Sequence, residues 1–173
     1  METIRAACID DAPGIGRVHV DSWRTTYKGI VPNEVLANLS YTLREQKARQ
    51  RLSNPANAIY TYVAEDEQGQ IVGFVVGGLN RDTSSAYASE LYAIYTLQEV
   101  QGRGIGKKLT HALVARLVQD KLYSMLVWVF ADNPARGFYE ALGGQYVATK
   151  PIEIGSALLD EVSYGWNDIR VML

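Results

Sequence analysis

The spacing of apolar residues changes along the chain and predicts the order of its elements. "TIRAACI" alternates weakly and stops at "DDAPG", which favours a short strand followed by a helix from Pro13 to Tyr27. "KGIVPNEVLANLS" breaks at Gly29 and restarts at Pro32, and the charged "YTLREQKARQRL" predicts another helix. The first third of the chain is therefore mainly helical.

Strand patterns dominate the middle and the end of the chain. "NAIYTYVAEDEQGQIVGFVVGGL" indicates a hairpin with a polar turn from Asp66 to Gly69, and "SSAYASELYAIYTL" a further strand. A glycine run opens the next helix, and the apolar strand "YSMLVWVFA" and the short capped helix "NPARGFYEALGG" follow. "QYVATKPIEI" and "LLDEVSYGW" supply two last strands. This order predicts a mixed α+β domain around a largely antiparallel sheet with one parallel β-α-β unit.

Composition limits the classes of protein and of partner. A chain of 173 residues with 47% hydrophobic and 21% charged residues indicates one globular domain over residues 1–173. A net charge of -2 gives no general attraction to nucleic acid or to acidic membranes, so neither is expected as a partner. The N-terminal segment has no signal-peptide pattern, and no apolar run approaches the ~20 residues that span a bilayer. We therefore expect a soluble, cytoplasmic protein.

The single cysteine limits the covalent and metal chemistry. Cys8 is the only cysteine of the chain, so an internal disulfide and a thiolate zinc cluster are both excluded. Free cysteines usually behave as small buried hydrophobic residues, and we expect Cys8 to be one on the first strand.

The segment "QGRGIGKK" places Gly102, Gly104 and Gly106 at the start of a predicted helix. Glycine weakens a first helical turn, so another requirement should exist, such as positive φ angles or a ligand pressed against bare backbone. A P-loop is excluded because Lys108 stands where Ser or Thr is needed and Gln101 where the first glycine is needed.

A dinucleotide fingerprint does not match this segment either. Counted from Gly102, its third glycine would stand where Lys107 is found. The pattern that remains is Gln-x-x-Gly-x-Gly, directly after a strand and opening a helix. Free N–H groups of the loop and first helical turn then converge on an anion, and the helix dipole adds to the attraction. A pyrophosphate would fit this geometry.

Two motifs carry a resemblance to a known family. "IYTLQEVQGRGIGKKLTHALV" resembles motif A of the GNAT superfamily of N-acetyltransferases, and "ADNPARGFYEALGG" resembles its motif B. The resemblance implies a GNAT-like α+β fold, with a twisted, largely antiparallel sheet of about seven strands that is flanked by helices and splayed between the fourth and fifth strands. It also implies acetyl-CoA as co-substrate, no metal, and direct transfer of the acetyl group in a ternary complex to a primary amine of a small molecule.

The resemblance also implies contacts with the coenzyme. Loop amides from Gly102 to Lys107 would hold the pyrophosphate, with basic side chains nearby. Backbone groups of the fourth strand would pair with the pantetheine arm as another strand does. Asn133 would bind the pantetheine, or would only cap the next helix. The implied cofactor-binding residues are Ile94, Tyr95, Thr96, Gln101, Gly102, Arg103, Gly104, Ile105, Gly106, Lys107 and Asn133.

Catalytic roles follow from the same resemblance. A backbone N–H of the fourth strand would polarise the thioester carbonyl. Tyr139 matches the tyrosine that protonates the leaving sulfur; a phenol with an ordinary pKa of ~10 is protonated at neutral pH, although Tyr139 could also simply pack as Phe138 does. Glu90 resembles in placement the glutamate that the histone-acetylating branch uses as general base, and a structural role for it is equally open.

The acceptor should be selected by the first helices and the last strands. Trp23 and Tyr27, with Arg24 and Thr26, form a polar and aromatic set that would line a substrate pocket or attach the helices to the sheet. Two rival functions stay open: a CoA-binding sensor or regulatory module without turnover, and an acyltransferase acting on a protein or peptide amine. The apolar C-terminal strands could pair between subunits, which would give a homodimer.

The two histidines of the chain are weaker candidates. His19 would border the acceptor pocket or pack within the core, and we expect His111 on the surface of the helix that follows the glycines.

Overall fold

The computed structural model describes residues 2–54 and 57–173, which form seven strands and five α-helices in this part of the chain. The strands are β1 Thr3–Ala6, β2 Ile59–Glu65, β3 Ile71–Leu79, β4 Ser89–Thr96, β5 Met125–Phe130, β6 Gln145–Ile154 and β7 Ala157–Trp166. The helices are α1 Ala12–Thr26, α2 Asn33–Ala37, α3 Tyr41–Leu52, α4 Ile105–Gln119 and α5 Arg136–Ala141.

All seven strands belong to one sheet, in the order β1-β2-β3-β4-β5-β7-β6. β4 and β5 pair in parallel, and the other neighbouring strands pair antiparallel. The parallel pair is the one joined through α4, because a parallel crossover needs a long connection. The α+β fold and the mostly antiparallel sheet that the sequence predicts are thus confirmed.

The sheet opens between its fourth and fifth strands. Only residues 89–91 of β4 pair with residues 125–127 of β5, although β4 continues to Thr96 and β5 to Phe130. A bulge lies at the same place: Val76 pairs with Ala93 but Gly77 pairs with Leu91, so one residue of β4 has no partner. A β-bulge bends its strand and increases the local twist. β4 therefore turns away from β5 and leaves a wedge between them.

Helices cover both faces of the sheet. Alternate residues of β3 point to opposite faces. Gly77 faces Leu113 of α4, whereas Phe74 stacks on His19 of α1, so the two helices lie on opposite faces. Leu109 and Leu113 are fully buried, so α4 holds the core on its face.

The expectation for Cys8 is wrong, because its side chain is exposed. β1 ends at Ala6, and the chain turns before Cys8 can extend the strand. The Asp11 carboxylate causes this turn: it accepts the Cys8 N–H at 2.8 Å and pairs with Arg5 of β1 at 2.7 Å. A carboxylate that bonds a backbone N–H three residues earlier competes with strand pairing.

Candidate active site

A cavity of about 820 Å³ occupies the wedge between β4 and β5, and α1, α4, α5 and the last strands add to its walls. Most residues that the sequence predicts for the site line this cavity. They are Trp23, Tyr27, Ile94, Tyr95, Thr96, Gln101, Gly102, Gly104, Ile105, Gly106, Lys107, Asn133 and Tyr139. Two predicted site residues, Glu90 and Arg103, do not line the cavity.

The loop that opens α4 presents free backbone donors. No N–H of residues 102–107 has an acceptor among the described residues. The next N–H, that of Lys108, donates to the Gly104 carbonyl oxygen at 3.1 Å and begins the helical hydrogen bonds. Gly102 and Gly104 have φ angles of 75° and 78°, which turn these groups outward and which other residues rarely adopt. A run of free N–H groups at the positive end of a 15-residue helix is an anion-binding arrangement.

Two side chains hold the end of β4 beside this loop. Gln101 Nε2 and Ser22 Oγ both donate to the Thr96 carbonyl oxygen, each at 3.2 Å. Arg103 turns the other way: its guanidinium donates to the Glu99 carbonyl oxygen at 2.9 Å and lies 3.8 Å from the Glu2 carboxylate. Lys107 is thus the basic side chain of the loop that lines the cavity, and Arg103 offers the site only its backbone.

The open edge of β4 offers further backbone groups. The Leu97 N–H, just after β4, donates to the carbonyl oxygen of Val72 in β3 at 2.9 Å, so it points toward β3. Because backbone groups alternate between the two sides of a strand, those of Thr96 and Ile94 point toward the wedge. An extended ligand can pair with this edge as a further strand would.

Tyr139 of α5 lies at the inner wall of the cavity. The residue is buried and its ring stacks on Tyr164 with 6.1 Å between centroids. Its hydroxyl makes no hydrogen bond to another group in the described part of the chain, and burial raises the pKa of this phenol above its usual value. The group is therefore a protonated donor whose hydrogen bond is still available.

Asn133, before α5, is a buried polar residue of the cavity wall. The Asn133 side chain donates to the Tyr27 hydroxyl at 3.4 Å and accepts the Ala135 N–H at 2.8 Å. Asn133 thus shapes the turn before α5, although the N-cap of α5 is Ala135 and has no side-chain cap, so binding of the pantetheine by Asn133 stays a prediction. Burial raises the pKa of Tyr27 and of Tyr95, so both phenols stay neutral.

Glu90 is buried at the start of β4 and is held by Arg81. Its carboxylate accepts hydrogen bonds from Arg81 Nε at 3.0 Å, from the Arg81 backbone N–H at 3.2 Å and from a terminal guanidinium nitrogen. The Arg81 guanidinium also lies over the Tyr92 ring, 4.7 Å from its centroid. Glu90 does not line the cavity, so its role as general base stays a prediction.

Glu161 of β7 lines the cavity, although no motif in the sequence predicts it as a site residue. It pairs with Phe130 at the end of β5, which brings its side chain to the wedge. A signal was present in "LLDEVSYGW", where Glu161 lies two positions from Leu159 and from Ser163 and therefore shares their face of the strand. Its place opposite the end of β5 depends on the strand order β5-β7-β6, which no local pattern contains.

Neither histidine lines the cavity. His19 lies between Trp23 and Phe74, and burial lowers its pKa to about 3, so His19 is a packed core residue, the second of the two predicted alternatives.

Within the described residues, no group of three or more His, Cys, Asp or Glu side chains is arranged to hold a metal ion. The same residues contain no helix that is long and apolar enough to cross a membrane.

Comparison with known proteins decides the family. The model of the family described as "Acetyltransferase (GNAT) family" matches residues 21–144, which contain the glycine loop, the wedge and α5. The chain belongs to the GNAT family of acetyltransferases. This membership confirms the resemblance of the two motifs, the GNAT-like fold and the prediction of an N-acetyltransferase.

Three similar proteins illustrate the range of the family. "Uncharacterized N-acetyltransferase YuaI" of Bacillus subtilis (strain 168) is 40% identical over 172 residues, covering 99% of this chain and 96% of that protein. An L-methionine sulfoximine/L-methionine sulfone acetyltransferase of Pseudomonas paraeruginosa is 26% identical, covering 86% of this chain and 83% of that protein. The crystal structure of PaiA N-acetyltransferase from Thermoplasma acidophilum in complex with coenzyme A has a TM-score of 0.73 at 17% identity, covering 96% and 99% of the two chains.

Proposed function

We propose that this GNAT protein transfers the acetyl group of acetyl-CoA directly to a primary amine of a small molecule. The observation that carries the proposal is the run of free N–H groups of residues 102–107, at the mouth of the wedge into which the open edge of β4 also points. One end of the cavity suits a diphosphate, and its middle suits an extended, strand-like arm. Acetyl-CoA has both parts, in that order.

The residues present fit this co-substrate. A Cβ atom built at Gly102 or at Gly104 would meet no protein atom within 4 Å, so the space in front of both residues is free for a ligand. The N–H groups of residues 102–107 would bind the diphosphate, and Lys107 would add positive charge. The backbone groups of Ile94 and the N–H of Thr96 would pair with the amides of the arm and place the thioester beside Tyr139, since the Thr96 carbonyl oxygen already accepts from Gln101 and Ser22.

The chain would contribute to the reaction in two ways: by a hydrogen bond to the thioester oxygen and by a proton for the leaving sulfur. A backbone N–H at the edge of β4 would donate to the thioester oxygen as negative charge develops there, and such a donor contributes about 3 kcal/mol in comparable sites. Tyr139 would donate its proton to the departing sulfur. Because burial raises the pKa of this phenol, full transfer is favourable only when another proton replaces the one it gives. The proton lost by the attacking nitrogen serves this purpose.

The acceptor end favours a small molecule. Trp23 and Tyr27 stack edge to face at 4.8 Å, and Phe130 closes the same cluster at 5.1 Å from Tyr27. An aromatic wall of this kind suits the apolar part of a small acceptor, whose orientation is then fixed by a few polar groups of the pocket. The Pseudomonas relative, whose name states small-molecule acceptors, supports the same class.

A thiol-release assay with acetyl-CoA and a panel of primary amines tests the proposal. We expect amine-dependent release of CoA and a stoichiometric amount of N-acetylated product by mass spectrometry. Initial rates with both substrates varied should give intersecting lines, since parallel lines indicate a covalent acetyl-enzyme. Binding of CoA without turnover by any amine would instead support the sensor module. Turnover only with peptide or protein amines would support the other rival.

A further inference from the structure

Charge is distributed unevenly along the cavity. Among the described residues that line it, Lys107 and Glu161 carry the only charged side chains. Lys107 lies at the opening of α4, beside the free N–H groups, whereas Glu161 lies on β7 at the far side of the wedge. The cavity therefore has a positive end that suits the diphosphate and a single negative group elsewhere.

The Glu161 carboxylate is largely buried yet has no hydrogen-bond donor. Its side chain is 16% exposed, and its nearest cation is Lys150 Nζ at 3.9 Å, a distance too long for a hydrogen bond. Lys150 Nζ also lies over the Trp128 ring, 3.9 Å from its centroid. No other donor to Glu161 occurs in residues 2–54 and 57–173. Because Glu161 lines the cavity, its oxygens are free to accept hydrogen bonds from a ligand there.

Glu90 differs from Glu161 in this respect. Both oxygens of Glu90 already accept hydrogen bonds from Arg81, and its side chain is 4% exposed. The oxygens of Glu90 are thus occupied by the protein's own donors, and the residue does not line the cavity.

We infer that Glu161, rather than Glu90, binds the ammonium group of the acceptor and takes the proton that must leave before the amine can attack. The inference rests on the proposed function and names the residue that selects and activates its substrate. Trp128, Phe130 and the aromatic wall of α1 would enclose the carbon skeleton of the amine.

The charges around Glu161 suit this role. Burial raises the pKa of Glu161, Lys150 and Arg81 oppose this increase, and the negative charge of Glu90 adds to it. These three groups face Glu161 from β6, from the loop after β3 and from β4. A carboxylate with a raised pKa is a better proton acceptor. The positive charge of a bound ammonium offsets the cost of keeping the negative carboxylate in a partly buried place.

The transfer balances as follows. The ammonium gives one proton to Glu161, and the neutral nitrogen attacks the acetyl carbon with its lone pair. The C–N bond forms, the C–S bond breaks, and the sulfur leaves with the bonding electrons. The second proton of the nitrogen reaches the sulfur through Tyr139, and Glu161 later releases its proton to water. The products are the N-acetyl amine, CoA with a free thiol, and one proton.

The charge layout also defines the acceptor class. Among the described residues that line the cavity, Lys107 carries the only positive charge and lies at the diphosphate end, whereas Lys150 Nζ lies over Trp128 outside this lining. A carboxylate next to the amine would therefore approach Glu161 without a partner and be repelled. The inferred acceptor is a primary amine on an apolar skeleton without an adjacent carboxylate.

The test uses Glu161→Gln, with Asp160→Asn as the matched control. Asp160 is the next residue of β7, its side chain is exposed, and its substitution removes the same charge outside the cavity. Two acceptors of nearly the same shape are compared: 2-phenylethylamine, which is an ammonium at neutral pH, and O-benzylhydroxylamine, which is uncharged there. CoA affinity and thermal unfolding are measured for both variants, and we expect both to match the wild type.

For Glu161→Gln we expect kcat/KM to fall about 100-fold with 2-phenylethylamine and less than about tenfold with O-benzylhydroxylamine. Its kcat/KM for 2-phenylethylamine should also rise about tenfold per pH unit, following the fraction of neutral amine, whereas the wild type levels off above the pKa of Glu161. Asp160→Asn should behave as the wild type. Equal losses with both acceptors, or an unchanged pH profile, would overturn the inference.

Failure of the inference and failure of the proposed function give different results. If the wild type acetylates neither acceptor nor any other small amine, the proposed function fails. If it acetylates 2-phenylethylamine and Glu161→Gln does so equally well, only the inference fails. The acceptor class is tested by the ratio of kcat/KM for 2-phenylethylamine to that for L-phenylalanine, which we expect to exceed about tenfold. A preference for L-phenylalanine would contradict the assigned class.

Discussion

Substitution of Gly104 by alanine, compared with the same substitution at Gly69, separates the effect of backbone strain on stability from the effect on coenzyme binding. Gly104 has a φ angle of 78°, and a residue with a Cβ atom pays about 1–2 kcal/mol for the left-handed region. For a chain of this size, 1 kcal/mol lowers the unfolding midpoint by about 2–4 °C. Gly69, in the turn between β2 and β3, has a φ angle of 77° and provides the matched control. Gly69→Ala should pay the same strain far from the cavity.

The two variants should differ in coenzyme affinity. At Gly104 the new Cβ meets no protein atom within 4 Å, so it would enter the space assigned to the diphosphate. Loss of one hydrogen bond to a charged group costs about 1.5–3 kcal/mol, which corresponds to a dissociation constant raised about 10- to 100-fold. Gly69→Ala should leave the affinity unchanged.

Calorimetric titration with CoA measures this difference directly. A second measurement compares acetyl-CoA with acetyl-pantetheine, a donor without the diphosphate, for which Gly104→Ala should change kcat/KM by less than about twofold. If Gly104→Ala and Gly69→Ala bind CoA equally well, the loop does not hold the diphosphate and the reasoning fails.

Two other substitutions test the acid and the buried histidine. Tyr139→Phe should lower kcat about 100-fold or more while CoA affinity and the unfolding midpoint stay constant, because the hydroxyl makes no hydrogen bond within the described residues; unchanged rates would remove its role as acid. His19 has a folded-state pKa of about 3 against an ordinary 6.5, so the unfolded chain binds the proton first as the pH falls and stability is lost below about pH 6.5. In urea titrations, His19→Phe should reduce the loss of stability between pH 7 and pH 5 by about 2 kcal/mol, and an equal loss in both proteins would contradict this pKa.

Local patterns predict the elements well because each depends on neighbours in the sequence. The helix from Pro13 to Tyr27 is found as α1, Ala12–Thr26, and the glycines open α4 as expected. Cys8 was misplaced because its surroundings are set by an ion pair between Asp11 and β1, which the alternation of apolar residues does not reveal.

The site was predicted where a motif carries it and was missed where strand order creates it. The glycine loop and Tyr139 lie in contiguous motifs, so their placement in one cavity could be expected. Arg81 binds Glu90, nine positions later in the sequence, and this contact, which occupies the predicted base, has no sequence signature. Glu161 reaches the cavity only because β7 lies between β5 and β6 in the sheet.

A crystal structure with bound CoA and 2-phenylethylamine is the most direct test of the central claim. We expect the diphosphate within hydrogen-bond distance of the N–H groups of residues 102–107 and the pantetheine arm paired with Ile94 and Thr96 in the wedge between β4 and β5. A coenzyme bound elsewhere, or a wedge closed by the chain's own side chains when the coenzyme is present, would contradict it.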